Sequence, residues 1–307
     1  MKIFVILMLV ILGVSATQAG NIEMFGKEKY GFTQPRYTEL SWEQKKQLVG
    51  VKVLEAIAAE DHFPFCSSEQ GSVFTKIFES APEKTGTYIS IYCDDKNYKN
   101  TVTDFERGKT NDPNALFGVY YEEVPYSKNQ FIYPAFFTNN VHLIYSSQNK
   151  LNVSKKADLK NYKGVRVSTD RVSKTVAKEF ESLNIKEVDN FSKAFEELLT
   201  GTADYLVAGY YTSLVEVYKF GIRDYVTYSK NPVWKMPMFI KVDPKVKKDE
   251  RIKEFEKYLK TQAYAEKRED ALRELIEMYK ENTRGIVPPT YISSKTSEEE
   301  KEIETEE

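Results

Sequence analysis

Residues 159–209 constrain this chain more than any other stretch. They read Leu-Lys-Asn-Tyr-Lys-Gly-Val-Arg-Val-Ser, then a helix-like segment, then Glu-Glu-Leu-Leu-Thr-Gly-Thr-Ala-Asp-Tyr-Leu-Val-Ala-Gly. Val165 to Ser168 is a short β-branched run after a Lys-Gly turn. Val176, Phe180 and Leu183 fall at i, i+4 and i+7, one face of a helix. A second helix is expected with Ser192 as its cap, Phe195, Leu198 and Leu199 inward, and Gly201 at its end. Tyr205 to Ala208 is apolar enough for a buried strand. Strand, helix, short strand, helix, strand predicts an α/β fold with a mostly parallel sheet and right-handed crossovers.

The two ends differ from this middle. Met1-Lys2 leads into an apolar run from Ile3 to Val14, then the small residues before Ala19. This is the pattern of a secretory signal peptide, residues 1–19, with cleavage expected after Ala19 or, second, Ala16. The run is shorter than the roughly 20 residues of a membrane-spanning helix. An uncleaved anchor is the alternative, and no cysteine follows to carry a lipid. Residues 20–50 read as an arm and a helix, with Ser41 and Gln44 forming a capping box. From Ser297 the chain is almost all glutamate and is expected to be a disordered tail, 297–307. The net charge is −2 over 44 basic and 46 acidic residues. That balance provides no broad basic field, so nucleic acid is not an expected partner.

Only two cysteines exist, Cys66 and Cys93, and an even pair in an exported chain suggests a disulfide. With only two histidines, His62 and His142, no metal centre and no other cofactor is expected. Further strands are expected at Val53–Ala59, Tyr88–Tyr92, Ala115–Tyr121 and Met236–Val242. A long aromatic stretch, residues 131–146, reads as a passage between two lobes. Helices are expected over 72–80 and 101–107, from Asp249 with Ile252, Phe255 and Leu259 on one face, and from about Glu269 to Glu281 before Pro288-Pro289.

The stretch from Leu159 resembles the second lobe of bacterial extracellular solute-binding proteins of the amino-acid-binding type, known as family 3. There "L-K-G-x-x-V-x-V" opens the lobe and "L-x-x-G-x-x-D-x-x-V" ends its second helix. Residues 61–65, Asp-His-Phe-Pro-Phe, resemble the family's "Y-x-P-F" loop, and residues 132–137 its "F-S-x-P-Y-Y" stretch. The resemblance runs from about Val51 to Lys260. It implies a two-lobed type II periplasmic-binding-protein-like fold. Lobe 1 would be 51–137 plus 241–296, and lobe 2 would be 138–240. It also implies that strands 53–59 and 88–92 are parallel neighbours. Cys66 and Cys93 then lie just past their ends, within bridging range.

Ligands of open α/β sheets bind beyond the carboxyl ends of strands. The resemblance therefore implies a ligand-binding set of His62, Tyr98, Tyr120, Tyr121, Glu122, Thr169, Ser173 and Thr175. His62 and Tyr98 would be ring platforms. Thr169, Ser173 and Thr175 stand where the family has hydroxyls at a helix start, although helix capping by Ser173 is an equal reading. Two family features are missing. Pro125-Tyr126 stands where an arginine grips the ligand carboxylate, and Gly209 stands where an Asp holds its amine. Asp204 reads as structural, and Phe65 as packing beneath its loop.

The expected function is capture of a small polar molecule, neutral or cationic, for the membrane permease of an ABC transporter. The protein would be a periplasmic monomer without catalysis. A degenerate sensor or interaction domain is the alternative. A lyase or dehydratase on the same fold is the third reading, for which Glu122 and Glu123 could not form a dyad because adjacent strand residues face opposite ways.

Overall fold

The computed structural model describes residues 40–59, 64–67, 71–94, 98–106, 114–121, 130–149 and 151–289. His62, Glu122, Glu123, the signal-peptide segment and the acidic tail lie outside them.

The chain first builds a helix, α1 (Trp42–Gln47), closed by the expected capping box: Ser41 accepts from the Gln44 amide, and Gln44 reaches back to the Ser41 amide. Then come β1 (Lys52–Ala59) and a small hairpin of β2 (Cys66–Ser67) and β3 (Gly71–Ser72). Helix α2 (Val73–Phe78) follows, capped by the Ser72 hydroxyl, and then α3 (Ala81–Thr85). Next are β4 (Thr87–Asp94), α4 (Tyr98–Glu106) and β5 (Ala115–Tyr120). Strand β1 lies between β4 and β5, parallel to both. Phe74 and Phe78 of α2 meet Phe117 and Phe136 edge-on or tilted, which fills one face of this half of the sheet. The hairpin brings Cys66 to Cys93 at the end of β4. They are disulfide-bonded with α-carbons 5.6 Å apart.

Strand β6 (Phe131–Ser146) is one continuous 16-residue strand. Beyond it lie a 3-10 turn, Lys156–Asn161, and β7 (Gly164–Val167). Then follow α5 (Lys174–Glu181), β8 (Ile185–Val188), α6 (Phe191–Leu199), β9 (Tyr205–Gly209) and α7 (Tyr210–Lys219). Strand β7 pairs in parallel with both β8 and β9. Gly164 is required here, because a Cβ would sit 2.6 Å from the Tyr205 ring. Asp204 is structural as expected, accepting from the Lys163 amide at 2.7 Å.

After β10 (Val226–Tyr228), β11 (Trp234–Val242) runs back antiparallel to β6, pairing Pro237 with Thr138 and Ile240 with Ile132. The order is β4-β1-β5-β11-β6-β9-β7-β8, with β10 also on β6. Two parallel sets are thus joined by an antiparallel pair that belongs to both. The last described elements are α8 (Pro244–Lys247), α9 (Glu250–Tyr258) and α10 (Gln262–Asn282). Helix α10 spans both sets. It meets α2 through Glu274–Lys76 and Glu79–Lys267, and α7 where the Lys219 ammonium lies 5.7 Å over the Tyr279 ring.

Three local expectations are corrected. Asn190, not Ser192, caps α6, because its side chain accepts from the Lys193 amide. Helix α10 starts at Gln262 rather than near Glu269, since Thr261 caps it. Helix α7 was not expected from the sequence at all.

Candidate functional site

Between the two parallel sets, on the side of α5, lies a cavity of about 520 Å³. The end of β5 contributes Tyr120 and Tyr121, and the start of α5 contributes Ser173 and Thr175. Tyr133 and Phe239 form an aromatic wall beside Tyr121. The joining strand β11 adds Trp234 and Met236. Walls therefore come from both parallel sets and from a strand that links them.

Four expected site residues, Tyr120, Tyr121, Ser173 and Thr175, meet at this cavity. Tyr121 is 37% exposed, whereas Tyr120 is buried behind it. The Ser173 hydroxyl accepts from the Val176 amide at 3.3 Å, so it caps α5 while its residue lines the cavity. Thr169 is exposed and is not among the lining residues. Tyr98 is the first residue of α4, and its side chain lies outside the described set, as do His62 and Glu122. Phe65 is buried against Phe74, Phe137 and Tyr211, which gives it a packing role.

The loop from β7 to α5 carries two charged residues that sequence reasoning passed over. Arg171 reaches across to the other parallel set. Its Nη2 donates to the Gly118 carbonyl at 2.5 Å, and its guanidinium lies 4.8 Å from the Tyr120 ring centroid. The Tyr120 hydroxyl donates to the Arg171 carbonyl at 3.4 Å and accepts from Asn139 Nδ2 at 3.1 Å. The two residues hold each other. Asp170 points the other way, accepting from the Gly209 amide at 2.9 Å. Burial pushes its carboxyl up to about 6, against the opposing effects of that amide and of Arg166.

A Cβ on Gly209 would stand 2.9 Å from Asn139 Oδ1. A side chain at this position would displace the Asn139 amide, which donates to the Tyr120 hydroxyl.

On the α5 wall, Glu179 organises a second polar group. Its Oε2 accepts from Trp234 Nε1 at 2.7 Å and from Lys156 Nζ at 3.0 Å. The Trp234 hydrogen bond, more than any other factor, holds this carboxyl below its ordinary value. Lys156 also lies 5.0 Å over the Trp234 ring. Only the helical position of Glu179, two turns past the cap on the side of Val176, could have pointed to it from the sequence. Among the described residues no group of three His, Cys, Asp or Glu side chains could hold a metal ion. No described helix is long and apolar enough to cross a membrane.

No protein-family model matches the chain, and no curated protein matches it. Solved structures do. The GluR0 ligand-binding core in complex with L-glutamate is 14% identical with a TM-score of 0.52, over 72% of this chain and 99% of that one. The ancestral cationic amino acid solute-binding protein AncCDT-1 is 16% identical with a TM-score of 0.50, over 77% and 99%. A double mutant of the Bordetella pertussis BvgS VFT2 domain is 14% identical with a TM-score of 0.50, over 80% and 100%. At these identities the likeness concerns the fold. A curled mixed sheet flanked by helices, two parallel sets and two joining strands make this chain an α/β protein of the two-lobed type II periplasmic-binding-protein-like fold.

Proposed function

We propose that this chain is an exported solute-binding protein that captures a small polar molecule between its lobes and delivers it to the permease of an ABC transporter. The observation that carries this reading is the cavity of about 520 Å³, walled by both parallel sets and by a strand common to them. A solute lodged there touches both halves, so its binding energy favours the closed arrangement over an open one. The lobes would be 51–137 plus 241–296 and 138–240, meeting where Thr138 pairs with Pro237. Export rests on the N-terminal sequence pattern. A monomer suffices for this role. A screen of small solutes by thermal unfolding tests the reading. A stabilising solute is expected, and Tyr121→Ala should remove the shift without changing the unliganded midpoint. A full panel of sugars, amines, amino acids and oligopeptides that never stabilises the wild-type chain would contradict it.

The Arg171–Tyr120 contact favours a second reading, a sensor or interaction domain. It bridges the two parallel sets, and a ligand would act by shifting the arrangement that this contact holds. Scattering from the unliganded protein separates the readings: an open, two-state ensemble supports delivery, and a single closed form supports sensing.

A further inference from the structure

We infer that the cavity recognises a neutral ring bearing vicinal hydroxyl groups, a monosaccharide or cyclic polyol, with Lys156 and Glu179 as its paired donor and acceptor. The inference rests on the solute-binding reading above and names the class of solute.

Both bonds to Glu179 fall on Oε2. No described residue donates to Oε1. Lys156 gives one ammonium proton to Glu179, and no described residue accepts the other two. Both side chains are roughly half exposed, at 48% and 44%, and both border the cavity. The pair therefore presents an ionised acceptor and a cationic donor side by side. Adjacent hydroxyls on one ring match that spacing, one accepting from Nζ and the other donating to Oε1.

The charges also exclude other classes. An organic anion would meet Glu179, and a free amine would meet Lys156. The lining carries two lysines, Lys156 and Lys235, and one carboxylate, Glu179, so a zwitterionic amino acid would find a single partner for its ammonium. Desolvating a carboxylate and an ammonium needs several hydrogen bonds each, and a lysine lacks the planar fork that grips a carboxylate. Neutral hydroxyls are satisfied by one or two bonds. The aromatic part of the lining suits the rest of such a ring. Tyr121, Tyr133 and Phe239 lie within 6.3 Å of one another in successive ring contacts. Their faces can cover the C–H surface of a pyranose or cyclitol. Ser173 and Thr175 also line the cavity.

The test is calorimetric titration of the mature chain with glucose, galactose, ribose, N-acetylglucosamine, myo-inositol and maltose, beside glutamate, lysine and putrescine. At least one neutral sugar or cyclitol should bind with a Kd below about 100 μM. Glu179→Gln should weaken it at least tenfold and Lys156→Met at least fivefold. Each variant should keep the wild-type unfolding midpoint to within a few degrees. Val49→Ala, on the exposed surface, should bind as wild type. Absence of binding by every sugar and cyclitol overturns the inference, whatever else binds. Glutamate, lysine or putrescine binding in their place overturns the inference but leaves the solute-binding reading standing. Sugar binding unaffected in both charge variants overturns the residue assignment.

Discussion

Arg171 and Tyr120 clasp one another across the two halves of the sheet: the guanidinium lies 4.8 Å from the ring centroid, and the ring's hydroxyl donates to the Arg171 carbonyl. Replacement of Arg171 by Ala removes the ring contact and the bond to Gly118. The expected loss is about 1–2 kcal/mol of global stability. Hydrogen exchange should rise in residues 116–121 and 168–175 and stay unchanged in β4. An unchanged exchange pattern would show that the clasp does not hold the halves together.

Removal of the Cys66–Cys93 bond by paired Ala substitution should destabilise the chain by about 2–4 kcal/mol. The bond closes a 27-residue separation and pins the hairpin to the end of β4. Denaturant unfolding of the two forms checks this, and equal midpoints would contradict it.

Asp170 titrates with a sign opposite to that of most paired carboxylates. Its folded value, about 6, stands above the ordinary 3.8 of an unfolded aspartate. Between those values the folded state binds more proton than the unfolded state. The Asp170 contribution therefore improves as pH falls from 7 to 4, by on the order of 2–3 kcal/mol. Asp249 behaves in the opposite way. The Arg251 side chain holds it down to about 2, so its contribution is lost only as pH falls from about 4 through 2. Asp170→Asn keeps an acceptor for the Gly209 amide. The wild-type minus variant stability difference should become more favourable to the wild type from pH 7 to pH 4. A flat difference would contradict the burial argument.

Much of this fold was legible because its signals are local. A β-branched run after Lys-Gly, hydroxyls at the cap positions Ser41 and Ser72, and apolar spacing at Ile252 and Phe255 all act within a few residues. Helix α7 was illegible because β9 passes into it through Gly209 without a turn. Its opening residues, Tyr210, Tyr211 and Thr212, prolong strand-like composition. Ser192 and Asn190 are both good caps, and the nearer choice to the apolar run lost to the one whose oxygen reaches Lys193. The start of α10 was hidden by the charges at residues 266–270, which interrupt the apolar stripe between the buried Tyr264 and Ala271. The strand-end rule picked out Tyr120, Tyr121, Ser173 and Thr175, which line the cavity. Arg171 was missed because its partner Gly118 lies 53 residues away in sequence. Glu179 was missed because its role depends on Trp234, 55 residues downstream.

Simple α-amino acids should not bind at micromolar concentration. Among the described residues the cavity lining contains no arginine, and position 209 is a glycine. Titration with glutamate, glutamine and lysine should give only dilution heat, and a saturating isotherm for any of them would contradict this.

Capture of a solute between the lobes is tested most directly by native mass spectrometry of protein purified, without denaturation, from the cells that export it. The wild-type chain should carry an additional small-molecule mass that is released on unfolding, and Tyr121→Ala should carry little or none. A wild-type spectrum showing only the bare polypeptide, in protein that also fails to respond to any solute offered, would contradict the account.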